Sequence, residues 1–375
     1  MNIKINNPWN REYIKELLKQ GYELNSKNEK FTWILEEDRH LIKNNCSSAR
    51  FGIPTQVVGD YENAQIFLCL YNPGTHMKSK QSQTIKNVGN YIKEELALEN
   101  KLESNFKKYA YMKKMNEYYD YNKEDILESD IEKYYKHIIN MEDNILSLEI
   151  IDLFDLFVLK YSGKKIKNNI ITNDEAKNIS YYLRSYYSGA FYQEKKNSIQ
   201  STINFFENKF LKLIDMHGEK AREVLLNELR AYSICNMELL PYRSSIKSDI
   251  KFEKNGLINL TSTKFVVEII LNRLLTDTDE KPIFIFRSRV EWLKAIESYI
   301  RLNEKIMSYI DENYSGDINK FMQDKLYPNF YVFSSTNSGS MSPNNIVKLT
   351  DFKGYKHKNK KTDYVSRKLL HIFEA

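Results

Sequence analysis

Residues 64–74, AQIFLCLYNPG, constrain the fold more than any other stretch of the chain. An apolar run without strict alternation, stopped at once by a tight polar turn, suits a strand covered on both faces, as in the parallel sheet of an α/β protein. Ligands of such sheets bind beyond the carboxyl ends of the strands. Asn72, Pro73 and Gly74 fall at such an end, where Pro fixes φ and Gly lets the backbone approach a ligand closely. Taken alone, NPG is also an ordinary turn. The rest of the chain decides its meaning.

Strand and helix signals alternate around this segment. Residues 8–20 place Trp9, Tyr13, Ile14, Leu17 and Leu18 on one helical face, and residues 30–42 predict a second helix. From about 88 to 230 the pattern is helical for most of its length, with tyrosine stripes and an apolar run from Ile145 to Tyr161 closed by Gly163. A strand follows at 231–237 (AYSICNM), then a helix over 263–275 with Ser262 as N-cap, then a strand at 282–286. Ser288 and Glu291 have the spacing of a capping box and open a helix to Ile300. A helical stretch over 302–326, a strand at 329–335 and a helix starting near Pro343 complete the pattern, and residues 353–361 form a dense basic cluster. The crossover rule turns this order into an α/β three-layer sandwich with a central, mostly parallel four-stranded sheet. One domain is expected over 1–375, carrying a long helical insertion at 78–230.

Composition bounds the function classes. Hydrophobic residues make up 42% and aromatics 13% of 375 residues, enough to bury a sizeable core. The abundance of Lys, Asn and Tyr fits an AT-rich genome, so Lys content carries little functional weight, and a net charge of +6 permits a nucleic-acid partner without demanding one. Cys46, Cys69 and Cys235 are far apart, which argues for a reducing compartment and against a structural zinc site or a four-cysteine cluster. No apolar run of about 18 residues and no signal-peptide core is present. The expectation is a cytoplasmic monomer without membrane contact, metal or cofactor. Walker and GxSxG motifs are absent, which removes the usual hydrolase competitors.

Three strand-end loops are polar and small: NPG at 72–74, NMELLPYRSS at 236–245 and SSTNSGSMSPNN at 334–345. In this order they resemble the uracil-DNA glycosylase superfamily, whose thymine/mismatch and single-strand-selective branches carry a first motif of the NPG form. The resemblance implies that Asn72 holds the hydrolytic water beneath the sugar. It implies that Asn236, closing YSICN, reads the base, and that the loop 334–343 enters the groove, pinches phosphates and fills the gap left by the extruded nucleotide. Many members use a histidine in the last motif to stabilise the departing base. This loop has none, so that role falls to its backbone amides or to Asn337, or is unassigned.

The chemistry is consistent with these residue types. Cleaving an N-glycosidic bond passes through an oxocarbenium-like sugar, so a site must stabilise the leaving base and place one water. An asparagine orients water but is a poor base, which suits a dissociative reaction. Asn236 offers an amide donor and acceptor for a pyrimidine edge. Tyr71 and Phe191, with Tyr192 beside it, are candidates to stack on the extruded base. Gly74, Tyr242, Arg243, Arg287, Ser335, Asn337, Ser338, Gly339 and Ser340 are candidates for DNA contact, with Arg289 as a further cation. The expected function is a monofunctional DNA glycosylase acting on a uracil-like, mismatched or modified pyrimidine, in repair or in defence against modified foreign DNA. The alternative is an inert nucleic-acid- or nucleotide-binding protein on the same fold.

Overall fold

The computed structural model describes residues 1–20, 30–75, 77–104, 126–161, 170–191, 199–278, 280–335, 340–342, 345–357 and scattered positions to 368. Seven strands are described: β1 Val57–Val58, β2 Ile66–Leu70, β3 Ile139–Asn140, β4 Ile234–Glu238, β5 Ile283–Phe286, β6 Phe330–Phe333 and β7 Ile346–Lys348. They form one sheet in the order β3-β1-β4-β2-β5-β6-β7. The four expected strands are its centre, β4-β2-β5-β6, all parallel. The expected four-stranded sheet is therefore corrected to a seven-stranded mixed sheet. β1 adds antiparallel to β4 with β3 beside it, and β7 adds antiparallel to β6. Strands of two or three residues are too short for hydrophobic periodicity to register. β7 also replaces the helix expected near Pro343, because buried Ile346 and Val347 pair with Phe333 and Val332.

Chain order explains the two covered faces. From β2 the chain crosses to β4 on one side, then returns past β2 to β5 and on to β6. A right-handed crossover that reverses direction must use the opposite face of the sheet. The connection from β2 to β4 accordingly places helices Ile145–Lys160, Ile199–His217 and Ala221–Arg230 on the face bearing Ile66, Leu68, Leu70, Ile234 and Ile285. Helices Thr261–Leu275 and Arg289–Leu302 cover the face bearing Phe67, Cys69, Cys235, Met237 and Phe284. The segment read as one helical insertion is divided. Its helices Val88–Ser104 and Glu128–Ile138 contribute Tyr91, Ile92, Ile131, Tyr134 and Ile138 to the second face, and it donates β3 to the sheet edge.

Several local elements differ from expectation for identifiable reasons. In place of a helix over 30–42 there is a 3₁₀ turn at Glu36–Leu41, because Phe31, Trp33, Ile34 and Leu35 are all buried and no amphipathic face is available. Helix Thr261–Leu275 is capped from outside. Asp38 accepts from Thr261 N (2.6 Å), Ser262 N (3.4 Å) and Ser262 Oγ (2.7 Å), so Ser262 is a donor within the cap rather than the cap itself. Ser288 makes no side-chain cap, and Glu291 instead meets Lys247 at 2.8 Å. The stretch 302–326 divides into Glu304–Tyr314 and Ile318–Lys325, with Ser315 and Gly316 at positive φ between them.

Candidate functional site

β2 runs straight into Tyr71 and the NPG turn. Asn72 Nδ2 donates to Ser244 Oγ (2.9 Å) and to the Pro73 carbonyl (2.8 Å), with the Tyr242 and Ser244 carbonyls at 3.5 Å. Among the described residues Oδ1 accepts from nothing. The amide is thus oriented, and its acceptor is left over. The loop after β4 holds this turn through Leu239 N to Leu70 O (3.1 Å), Leu240 N to Tyr71 O (2.9 Å) and Ser244 N to Pro73 O (3.2 Å). Arg243 donates from Nε to the Ile53 carbonyl (2.9 Å) and from its guanidinium to the Gly74 carbonyl (3.2 Å). Gly74 is exposed and has no neighbour within 4 Å of a Cβ position, so the turn is open to an incoming group.

One layer below, β4 carries two polar side chains on the face of the Ile145–Arg230 helices. Asn236 does not end its strand: it pairs with Leu68, and the strand continues to Glu238 opposite Leu70. Asn236 Oδ1 accepts from the Tyr187 hydroxyl at 2.5 Å, while its Nδ2 is buried without a partner. Glu238, only 4% exposed, has an equally unpartnered Oε2. Burial pushes the Glu238 carboxyl well above the usual carboxylate range, with Arg243 and the Tyr182 hydroxyl pulling the other way. Residues i and i+2 of a strand share a face, so two orphaned polar atoms lie side by side.

The segment that covers this pair is a π-helical turn, Leu183–Tyr187, followed by the 3₁₀ turn Ser188–Phe191. Such π turns are rare and frequent at functional sites. This turn reaches the last loop as well. Met341 N donates to the Tyr186 carbonyl (2.7 Å), and a Cβ on Gly189 would meet Ser340 Oγ and come within 2.9 Å of Ser342 Cβ. The last loop is fastened at its base by Ser334 N to Asn345 O (2.8 Å), Ser334 Oγ to Asn345 Oδ1 (2.9 Å) and Asn345 Nδ2 to the Ser340 carbonyl (2.9 Å). Arg287, at the end of β5, reaches the Ser335 carbonyl at 3.4 Å and lies over the Phe333 ring. Arg289 lies over the Phe352 ring instead.

Asn72, Gly74, Arg243, Arg287, Ser335 and Ser340 therefore lie beyond the carboxyl ends of the central strands, with Asn236 inside β4 below them. Two sequence candidates are corrected. Tyr242 is fully buried, its hydroxyl donating to Asp38 Oδ2 (2.9 Å) and accepting from Leu35 N (3.1 Å), so it packs the core and is not at the surface where a DNA contact was expected. Tyr71 packs on the face opposite Asn236, with Lys247 Nζ 4.5 Å from its ring centre. It cannot share a base with Asn236 there. The side chain of Phe191 and residues Tyr192, Asn337, Ser338 and Gly339 lie outside the described residues. Sequence reasoning missed Glu238, Tyr182 and Tyr187. Glu238 had a signal, being the one charge inside the apolar run SICNMELLPY.

Glu149 positions the covering turn. Its carboxylate accepts from Tyr182 N (2.7 Å) and Leu183 N (2.6 Å), and burial pushes its pKa from the usual 4.5 up to about 8. The folded state therefore holds this proton more tightly than the unfolded one. The stabilisation associated with it is fully present below about pH 4.5 and is lost as pH rises to about 8. Glu149→Gln is expected to flatten the fall in unfolding free energy across that window, measured by urea titration at a series of pH values. An unchanged slope would remove Glu149 as its source.

Comparison of the chain with family models, curated proteins and solved structures returned no match. Among the described residues no cluster of His, Cys, Asp and Glu is arranged to hold a metal, and no helix is long and apolar enough to cross a membrane. The three cysteines are unpaired and buried.

Proposed function

We propose that the chain is a monofunctional DNA glycosylase that hydrolyses the N-glycosidic bond of a pyrimidine base in DNA. The observation that carries this reading is the pair of buried, unpartnered atoms Asn236 Nδ2 and Glu238 Oε2 on β4, next to the strand β2 that runs on into the turn with the anchored amide of Asn72. An unpaired buried polar group costs about 1–3 kcal/mol, so a ligand that completes both atoms gains that much at each. A flat heterocycle with polar atoms along one edge fits a pair set two residues apart on a strand. The base leaves the DNA stack to enter this layer, at a cost of a few kcal/mol.

Above it, Asn72 Oδ1 accepts a hydrogen from the attacking water and aims the oxygen at the sugar. Arg287 and the small residues of the 334–345 loop, Ser335 and Ser340 among them, meet the phosphates on either side through guanidinium and backbone N–H donors. The protein acts on DNA as a monomer in the cytoplasm. Incubation with single- and double-stranded DNAs bearing uracil, mismatched thymine or modified cytosines is expected to yield alkali-labile abasic sites from at least one of them. Retained DNA binding with no base release from any would favour an inert binder.

A further inference from the structure

The last-motif loop carries no histidine, so the glycosylase reading leaves the charge of the departing base to that loop's amides or Asn337, or to a group not yet assigned. We propose that Glu238 supplies this function as a neutral acid, donating a hydrogen bond to a carbonyl oxygen of the leaving base while Asn236 Nδ2 donates to another. The inference rests on the glycosylase reading and adds a catalytic residue to it.

Three observations carry it. Glu238 is buried on the same face as Asn236 and two residues along, at the level of Leu70 and hence nearer the NPG turn. Neither its Oε2 nor Asn236 Nδ2 has a hydrogen-bond partner among the described residues, so each leaves a place that a ligand group would fill. Burial pushes the Glu238 carboxyl well above the usual carboxylate range and so favours its neutral form, with the Arg243 guanidinium and Tyr182 pulling the other way. A protonated carboxyl beside an amide N–H presents two donors, and a 2,4-dioxopyrimidine presents two carbonyl acceptors along one edge. Both contacts strengthen as the ring becomes anionic, which is the condition for lowering a barrier.

The step balances without a further reactant. The C1′–N1 bond breaks with its electron pair leaving on N1, and the charge spreads to the ring carbonyls facing Glu238 and Asn236. Water adds its oxygen to C1′, and its proton ends on the departed base. Free base and an abasic sugar are the products.

The test compares release of uracil and 5-fluorouracil from otherwise identical DNA, because the halogen stabilises the anion and lessens the need for a donor. Glu238→Leu is expected to slow uracil release by about 10²–10³-fold, the cost of removing one such donor. The loss on 5-fluorouracil is expected to be smaller by on the order of tenfold, following the leaving group's acidity. Glu238→Gln keeps the shape and a weaker donor, so it is expected to lose less on both bases while still losing more on uracil. Melting curves identify a variant that fails to fold, and Glu238→Gln then carries the comparison. Equal losses on the two bases, or no loss, would overturn the role of Glu238 alone. Failure of the native protein to release either base, or any other base of the panel, would instead remove the glycosylase reading beneath it; release of another base but of neither of these would overturn the assignment of Glu238 to a uracil carbonyl.

Discussion

Asn236→Ala is expected to lower base release by about 10²–10³-fold, the range for losing one preorganised donor in a dry site. The variant removes Nδ2, which has no protein partner, so its loss is felt by the ligand alone. It also removes Oδ1, leaving the Tyr187 hydroxyl without its acceptor at an expected stability cost of about 1–3 kcal/mol. Single-turnover release measured on saturating substrate separates the two effects. Asn236→Leu sharpens the test, since it removes both amide atoms at nearly constant volume and leaves no cavity. A loss as large as that of the alanine variant is expected, with smaller destabilisation. Native release rates in either variant would exclude Asn236 from reading the base.

The largest expected effect on stability lies away from the site, at Asp38. Its carboxylate is fully buried and accepts from Thr261 N, Ser262 N, Ser262 Oγ and the Tyr242 hydroxyl. It therefore caps the helix Thr261–Leu275 and ties the loop after β4 to the N-terminal segment. Asp38→Ala would leave these donors buried and unpaired, and a loss of about 3–5 kcal/mol is expected by urea unfolding. Asp38→Asn keeps one acceptor oxygen and relieves the cost of a buried charge, which burial already opposes by raising this carboxyl's pKa. Its loss is expected to be about half as large or less. Equal stability of Asp38→Ala and the native chain would contradict the capping role.

The centre of the sheet was legible because its strands are long and apolar enough to announce themselves. IFLCL, IFIF and FYVF each carry four or five consecutive buried residues, and a strand buried on both faces shows no alternation. The two-residue strands Val57–Val58 and Ile139–Asn140 carry no such signal and form through their neighbours. Caps were misread for the same reason. Asp38 lies more than 220 residues from the helix it caps, and nothing local in TSTKFVV reveals a distant carboxylate. The positions of Asn72, Arg243, Arg287 and Ser340 beyond strand ends followed from strand order. Tyr242 shows where that reasoning ends: a tyrosine in a strand-end loop was read as exposed, yet its hydroxyl is satisfied in the core. The covering turn with Tyr182 and Tyr187 belonged to a stretch whose tyrosine stripes read as core. Only the fold brings it over Asn236 and Glu238.

The most direct measurement is base release by the native protein and by Asn72→Ala on the panel of modified DNAs. Asn72 Nδ2 is held by Ser244 and Pro73, while Oδ1 is free to hold water. The account predicts abasic sites with the native protein, and their loss by about 10²–10³-fold in the variant, with DNA binding unchanged. Release at the native rate by Asn72→Ala would contradict it, because the reading assigns the orientation of the water to Asn72 Oδ1.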